Sequence, residues 1–165
     1  MSRESRDDLL ASLNDEFRLQ GLVTDIADQA VADLMGLNRT DARCLDIIER
    51  LSRVTAGRLA RESGLSTGAV TTVLDRLERA GLARRVTDPA DRRRVLVEIT
   101  PEARRLTDEI YAPLAGAGAE ELERYSVAEL GLLRDFLRRG RALQEEHIER
   151  VRARLRARQE GDADS

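Results

Sequence analysis

The stretch that most constrains this chain is Thr55-Ala-Gly-Arg-Leu-Ala-Arg-Glu-Ser-Gly64-Leu-Ser66-Thr-Gly-Ala-Val-Thr-Thr-Val-Leu-Asp-Arg-Leu-Glu-Arg-Ala-Gly81. Two short helices, over about 55–63 and 66–80, are joined here by almost no linker. Gly64 can adopt positive φ and end the first helix. Ser66 can cap the second. Ala60 is small where two helices must approach closely. Val70, Val73, Leu74 and Leu77 fall on one face of the second helix and are expected in a core. Thr67, Gly68, Thr71, Thr72 and Arg76 fall on the other. Gly81 stops that helix.

That second face has the chemistry of a major-groove reader. Threonine methyls can meet thymine methyls, and hydroxyls can bond base edges or phosphates. Gly68 and Ala69 leave room for the backbone near Ser66 and Thr67 to approach a phosphate at the helix N-terminus. A solvent-facing helix that happens to be rich in threonine would look the same in isolation. The next segment separates these readings. Leu82-Ala-Arg-Arg-Val and Val95-Leu-Val-Glu-Ile read as two strands around Thr87-Asp-Pro-Ala-Asp-Arg-Arg-Arg, a β-hairpin with a charged tip.

Charge is distributed accordingly. All 28 basic residues are arginine, against 31 acids, and the formal net charge is -3. An acidic total argues against coating nucleic acid or membrane by bulk charge. Residues 53–100, however, hold ten arginines and six acids. Residues 1–52 hold six and eleven, and residues 101–165 hold twelve and fourteen. The positive field therefore sits on the helix–turn–helix and hairpin, with five arginines and two aspartates in residues 84–94. A hairpin so placed is expected to act as a DNA-contacting wing.

The flanks read as long helices. Segment 5–35 opens on a capping box, Ser5 with Asp8, and carries two apolar stripes, as either a core helix of a bundle or a helix shared between its own subunit and a partner would. Residues 40–52 form a helix with Thr40 as the expected N-cap. Thr100-Pro101 starts another, expected to break or bend near Pro113. Ser126 and Glu129 cap a last helix reaching about residue 157, ahead of an acidic tail.

Residues 37–100 resemble the MarR family of winged helix-turn-helix transcription regulators. The matching pieces are Leu59-Ala60, Gly64-Leu65-Ser66, Val70-Thr71, Asp75-Arg76-Leu77-Glu78 with Ala80-Gly81-Leu82, and Asp88-Pro-Ala-Asp-Arg-Arg-Arg-Val-Leu-Val-Glu-Ile-Thr100. The resemblance implies a mainly α fold. Residues 1–36 would be an N-terminal dimerisation helix and 37–100 the DNA-binding domain. Residues 101–160 would complete the dimerisation region, and 161–165 would be a disordered tail. It implies that Ser66, Thr67, Gly68, Thr71, Thr72 and Arg76 serve the recognition helix in the major groove. Arg93 is then the wing arginine entering the minor groove, oriented by Asp91, with Arg92 and Arg94 beside it on phosphate. Arginine suits a narrow groove because its planar cation is weakly hydrated.

The resemblance further implies a homodimer on a pseudo-palindromic site in double-stranded DNA. The expected output is repression, relieved by a small-molecule effector. Family members often bind aromatic anions in a pocket between the DNA-binding and dimerisation regions, and Phe17 and Tyr111 are the candidates to line it. Two alternatives stand beside this reading: a winged-helix module that binds protein instead of DNA, and a redox-sensing regulator built on Cys44. Cys44 is expected in the core, and His147 at a packed or dimer-contact position. One cysteine and one histidine cannot furnish a His/Cys metal site. No nucleotide-binding, nucleophile or zinc motif is present, so neither an enzyme nor a cofactor is expected. No apolar run is long enough for a membrane span and the first residues have no signal-peptide pattern, so a cytoplasmic location is expected.

Overall fold

The computed structural model describes residues 5–163. The elements run α1 (Arg6–Leu34), α2 (Arg39–Leu51), α3 (Ala56–Ser63), α4 (Thr67–Arg79), β1 (Ala83–Thr87), β2 (Val95–Ile99), α5 (Pro101–Leu122) and α6 (Val127–Ala163). The chain divides into two compact units, the first ending at Tyr111 and the second starting at Ala112. The mainly helical, winged helix-turn-helix class read from the sequence is the fold observed.

In the first unit, helix boundaries follow local chemistry. Ser5 and Asp8 form the expected capping box on α1. For α2 the cap is Asn38 and not Thr40. The Asn38 Oδ1 accepts the Asp41 N–H at 2.9 Å, and the backbone of Asn38 is extended, which puts Thr40 inside the first turn. An amide oxygen one residue ahead of the helix competes well for that orphan donor. Thr55 and Ser66 cap α3 and α4 by accepting from the N–H of Arg58 and Ala69. Gly64 ends α3 at φ 73°, with its N–H on the Ala60 carbonyl at 2.9 Å. A side chain would strain that conformation, which glycine adopts freely.

The core lies between α2, α3, α4 and the hairpin. Ile48, Leu59, Leu74, Leu77 and Val97 are almost wholly withdrawn from solvent, as are Val70 and Val73. Each large apolar side chain buried this way stabilises the domain by roughly 1.5–3 kcal/mol. Truncating Leu74 to alanine would cost about 2–5 kcal/mol, since a cavity opens as well. The strands pair antiparallel with Ala83 opposite Ile99 and Thr87 opposite Val95. Val54 adds a bridge to Val97 through two backbone bonds of 3.0 and 2.7 Å. The hairpin base is thereby sewn to the chain leaving α2.

Thr100 closes this unit at its far edge. Its hydroxyl donates to the Gly81 carbonyl at 2.8 Å and accepts the Ala103 N–H, capping α5. The expected break at Pro113 does not occur, because α5 continues through it to Leu122. A single proline removes one intrahelical bond, and Ala115, Ala117 and Ala119 favour helix, offsetting part of the cost of Gly116 and Gly118 between them. The chain turns instead over residues 123–126.

In the second unit, the Ser126 and Glu129 capping box starts α6 as expected. This helix runs to Ala163, beyond the expected end near residue 157. Residues 164 and 165 of the expected tail lie outside the described residues. Both α1 and α6 expose apolar side chains along their length. Leu22 and Ile26 are 56% and 61% exposed on α1, and Leu132 and Leu143 are 71% and 64% exposed on α6. His147 is exposed on α6.

Candidate nucleic-acid interface

The face of α4 opposite the core carries Thr67, Gly68, Thr71 and Thr72, all exposed together with the capping residue Ser66. The Thr71 and Thr72 hydroxyls donate back to the Thr67 and Gly68 carbonyls at 3.1 and 3.2 Å. Each threonine thus presents a methyl group and free oxygen lone pairs outward. Such a surface touches thymine methyls and accepts hydrogen bonds from base amino groups.

Arg76 lies on the same face but has a partner within the domain. Its Nε and Nη2 donate to the two oxygens of Asp41 at 2.7 and 2.6 Å. Asp41 is 2% exposed, yet fully engaged, because its Oδ2 also accepts from the Asn38 amide. The hydrogen bond to Asp41 pushes the guanidinium pKa further up. The sequence pattern places Arg76 among the DNA-facing residues and misses Asp41 altogether. No local signal joins them, since they stand 35 residues apart.

The wing is organised by two aspartates. Asp88 Oδ1 accepts the Ala90 N–H at 2.9 Å, and the Asp88 N–H donates to the Arg94 carbonyl at 3.0 Å. Asp91 Oδ1 accepts the backbone N–H of Arg93 at 3.0 Å, while its carbonyl accepts from Arg94. Asp91 therefore orients Arg93 through the main chain, in an Asx turn, and leaves the guanidinium unheld. Arg94 faces Asp88 at 3.8 Å.

Pairing divides the arginines of this domain into two groups. Arg53 and Arg84 share the buried Glu98, Arg84 through two of its nitrogens, and both hold that carboxyl below its ordinary range. Arg85 ties β1 to α4 through Glu78 and Asp75. By contrast Arg92 and Arg93, at the wing tip, have no carboxylate partner among the described residues; nor do Arg61 on α3 and Arg79 on α4. The paired arginines hold the wing to the domain, and the unpaired ones are available to phosphate. Arg61 and Arg79 carry no signal in the sequence, where nothing distinguishes them from arginines on solvated helix faces.

Cys44 is fully buried, and burial pushes its thiol pKa up. A thiol so placed is a poor nucleophile. Tyr111 lines a cleft of about 400 Å³ with residues of α1 and α2, whereas Phe17 is not among the lining residues. Among the described residues, no group of three or more His, Cys, Asp or Glu could hold a metal ion. None of the described helices is long and apolar enough to cross a membrane.

Known proteins resemble this chain in sequence and fold. The sequence model of the MarR family matches residues 37–95. The HTH-type transcriptional regulator YcgE of Bacillus subtilis strain 168, itself uncharacterized, is 35% identical over 151 residues, covering 92% of this chain and 98% of that protein. A MarR family protein from Bacillus stearothermophilus superposes with a TM-score of 0.60 at 21% identity, over 82% of this chain and 94% of that one. A point mutant of S. aureus MepR, solved bound to an oligodeoxyribonucleotide, superposes with a TM-score of 0.53 at 16% identity, over 76% and 92%. With a winged helix-turn-helix whose second helix and wing tip face outward, and a relative matched almost end to end, the chain belongs to the MarR family of DNA-binding transcriptional regulators.

Proposed function

We propose that this regulator is a homodimeric repressor that binds a pseudo-palindromic operator in the cytoplasm and releases it when a small molecule binds. The observation that carries the DNA side of this reading is the pairing pattern. Among the described residues, Arg92 and Arg93 stand without carboxylate partners at the wing tip, beside a helix whose outer face is small and polar. In this reading α4 lies in the major groove, Arg93 enters the minor groove, and Arg92 and Arg94 meet phosphates. The apolar stripes exposed on α1 and α6 support the dimer, since a second copy would remove them from water. Two recognition helices then read half-sites about one DNA turn apart.

The test is a fluorescence titration of the purified protein against DNA from its own promoter, with light scattering to give its mass on and off DNA. Tight, salt-sensitive binding by a dimer is expected. Thr71→Val and Thr72→Val should change the preferred sequence more than the overall affinity, because each keeps the methyl group and removes the oxygen. Binding to a protein partner with no affinity for DNA would refute the proposal. In vitro transcription from the same promoter distinguishes repression from activation.

A further inference from the structure

The cleft beside Tyr111 is bounded by α1, α2 and the first part of α5, all within the first unit. Its volume of about 400 Å³ lies in the range of small-molecule sites. Val31 of α1, the capping Met35 that follows it and Leu45 of α2 give it apolar walls, and the Tyr111 ring adds an aromatic one. Three carboxylates also line it: Asp28 from α1, and Asp46 and Glu49 from α2. Asp46 and Glu49 are three apart on one helix and therefore share a face.

Two arginines line the same space, one paired with a carboxylate and the other hydrogen-bonded to a backbone carbonyl. Arg39 pairs with Asp25, and Arg43 donates its Nη2 to the Ser63 carbonyl at 2.9 Å. Glu49 faces Arg104 at 3.8 Å. Asp28 and Asp46 have no cationic partner among the described residues. The bond to a neutral carbonyl leaves Arg43 its charge, so Asp28 and Asp46 against Arg43 leave the cleft lining with one negative charge in excess. The environments of Tyr111 and Glu49 agree with this placement. Burial first, then the charges of Asp28, Asp46 and Glu49, pushes the Tyr111 phenol up. Burial, followed among the raising influences by Asp108 and Asp46, pushes Glu49 up.

We propose that this cleft binds a small organic cation, an amine or quaternary ammonium on an aromatic or apolar body. The ammonium sits between Asp28 and Asp46, and the body packs on Tyr111, Val31 and Met35. Tyr111 adds a face on which a cation is attracted by the ring quadrupole. This assignment rests on the ligand-responsive reading for its biological consequence. It departs from the aromatic anions that the family resemblance implies.

The experiment compares two probes with the same ring and opposite charge, 2-naphthylmethylamine and 2-naphthoate. Calorimetric titration of the full chain should show the amine binding at least about tenfold more tightly. The double variant Asp28→Asn/Asp46→Asn should lose amine affinity by about tenfold or more and bind naphthoate as well or better. Both aspartates are exposed, so the variant keeps its fold, which circular dichroism verifies. Tyr111→Leu should weaken the amine severalfold. Preference for naphthoate, binding of neither probe, or unchanged amine affinity in the double variant would overturn the proposal. Operator release is measured separately. Amine binding without release supports the cleft assignment while counting against ligand-controlled repression.

Discussion

Asp41, in the first turn of α2, grips Arg76 of α4 with both carboxylate oxygens, at 2.6 and 2.7 Å. The pair joins the start of one helix to the outer face of another. A bidentate guanidinium–carboxylate contact fixes orientation as well as distance. Asp41 is thus a positioning residue for α4. Asp41→Ala should lower the thermal midpoint by roughly 4 °C and weaken operator binding by about tenfold. Arg76→Lys should not restore affinity, because an ammonium cannot make the forked contact. Normal DNA affinity in a folded Asp41→Ala protein would remove this role.

The wing separates two kinds of arginine, and mutation should separate them too. Arg93→Ala should reduce operator affinity by about tenfold or more, and Arg92→Ala by less. Removing one arginine from a phosphate should lower the slope of log affinity against log salt by about 1. Asp91→Ala should act on DNA binding through Arg93, with little change in stability, since its carboxylate accepts a single exposed N–H. Salt-titrated binding curves of the three variants provide the comparison. An Arg93→Ala protein with full affinity would refute the wing assignment.

Glu98 makes stability depend on pH. Arg53 first and Arg84 next hold its carboxyl below the ordinary value of 4.5. A group with a lowered folded value contributes stability that is present above its ordinary value and fades as pH falls through the folded one. Glu98→Gln should therefore lower the thermal midpoint at pH 7 by roughly 2–4 °C. The gap between the two proteins should narrow from about pH 5 downward. A gap that stays constant to about pH 3, well below the ordinary carboxylate range, would show that the arginines contribute packing alone.

Cys44 should behave as a core residue. The native protein should resist alkylation and keep its DNA affinity in peroxide, while the unfolded chain reacts at once. Cys44→Ser should leave regulation unchanged, at a stability cost of about 1 kcal/mol for the buried hydroxyl. A peroxide response that disappears in that variant would reinstate the redox alternative.

The parts legible in the sequence are those whose cause is local. Gly64, Ser66 and Gly81 mark the turn, cap and stop of the helix–turn–helix within a few residues, and Asp88-Pro89 marks the wing. The apolar spacing of Val70, Val73, Leu74 and Leu77 identifies the buried face of α4. What escapes is set by distant partners. Arg76 sits on the polar face, and only folding reveals that Asp41 holds it. The same holds for Glu98, which reads as an ordinary strand acid until Arg53 and Arg84 close on it. Asn38 prevails over Thr40 by a shift within one turn, a margin that residue preference alone does not resolve. Pro113 reads as a breaker, yet α5 runs through it and through Gly116 and Gly118.

Helix α2 holds Arg76 through Asp41 at its start, and presents Asp46 and Glu49 to the cleft farther along. A ligand that favours one setting of this 13-residue rod also favours one setting of Arg76. Linkage then runs in both directions, by the same factor. If the cation loosens the grip on DNA, the operator equally weakens the hold on the cation. Free and promoter-bound copies would then respond to different concentrations of the same compound, and the copies in solution would fill first.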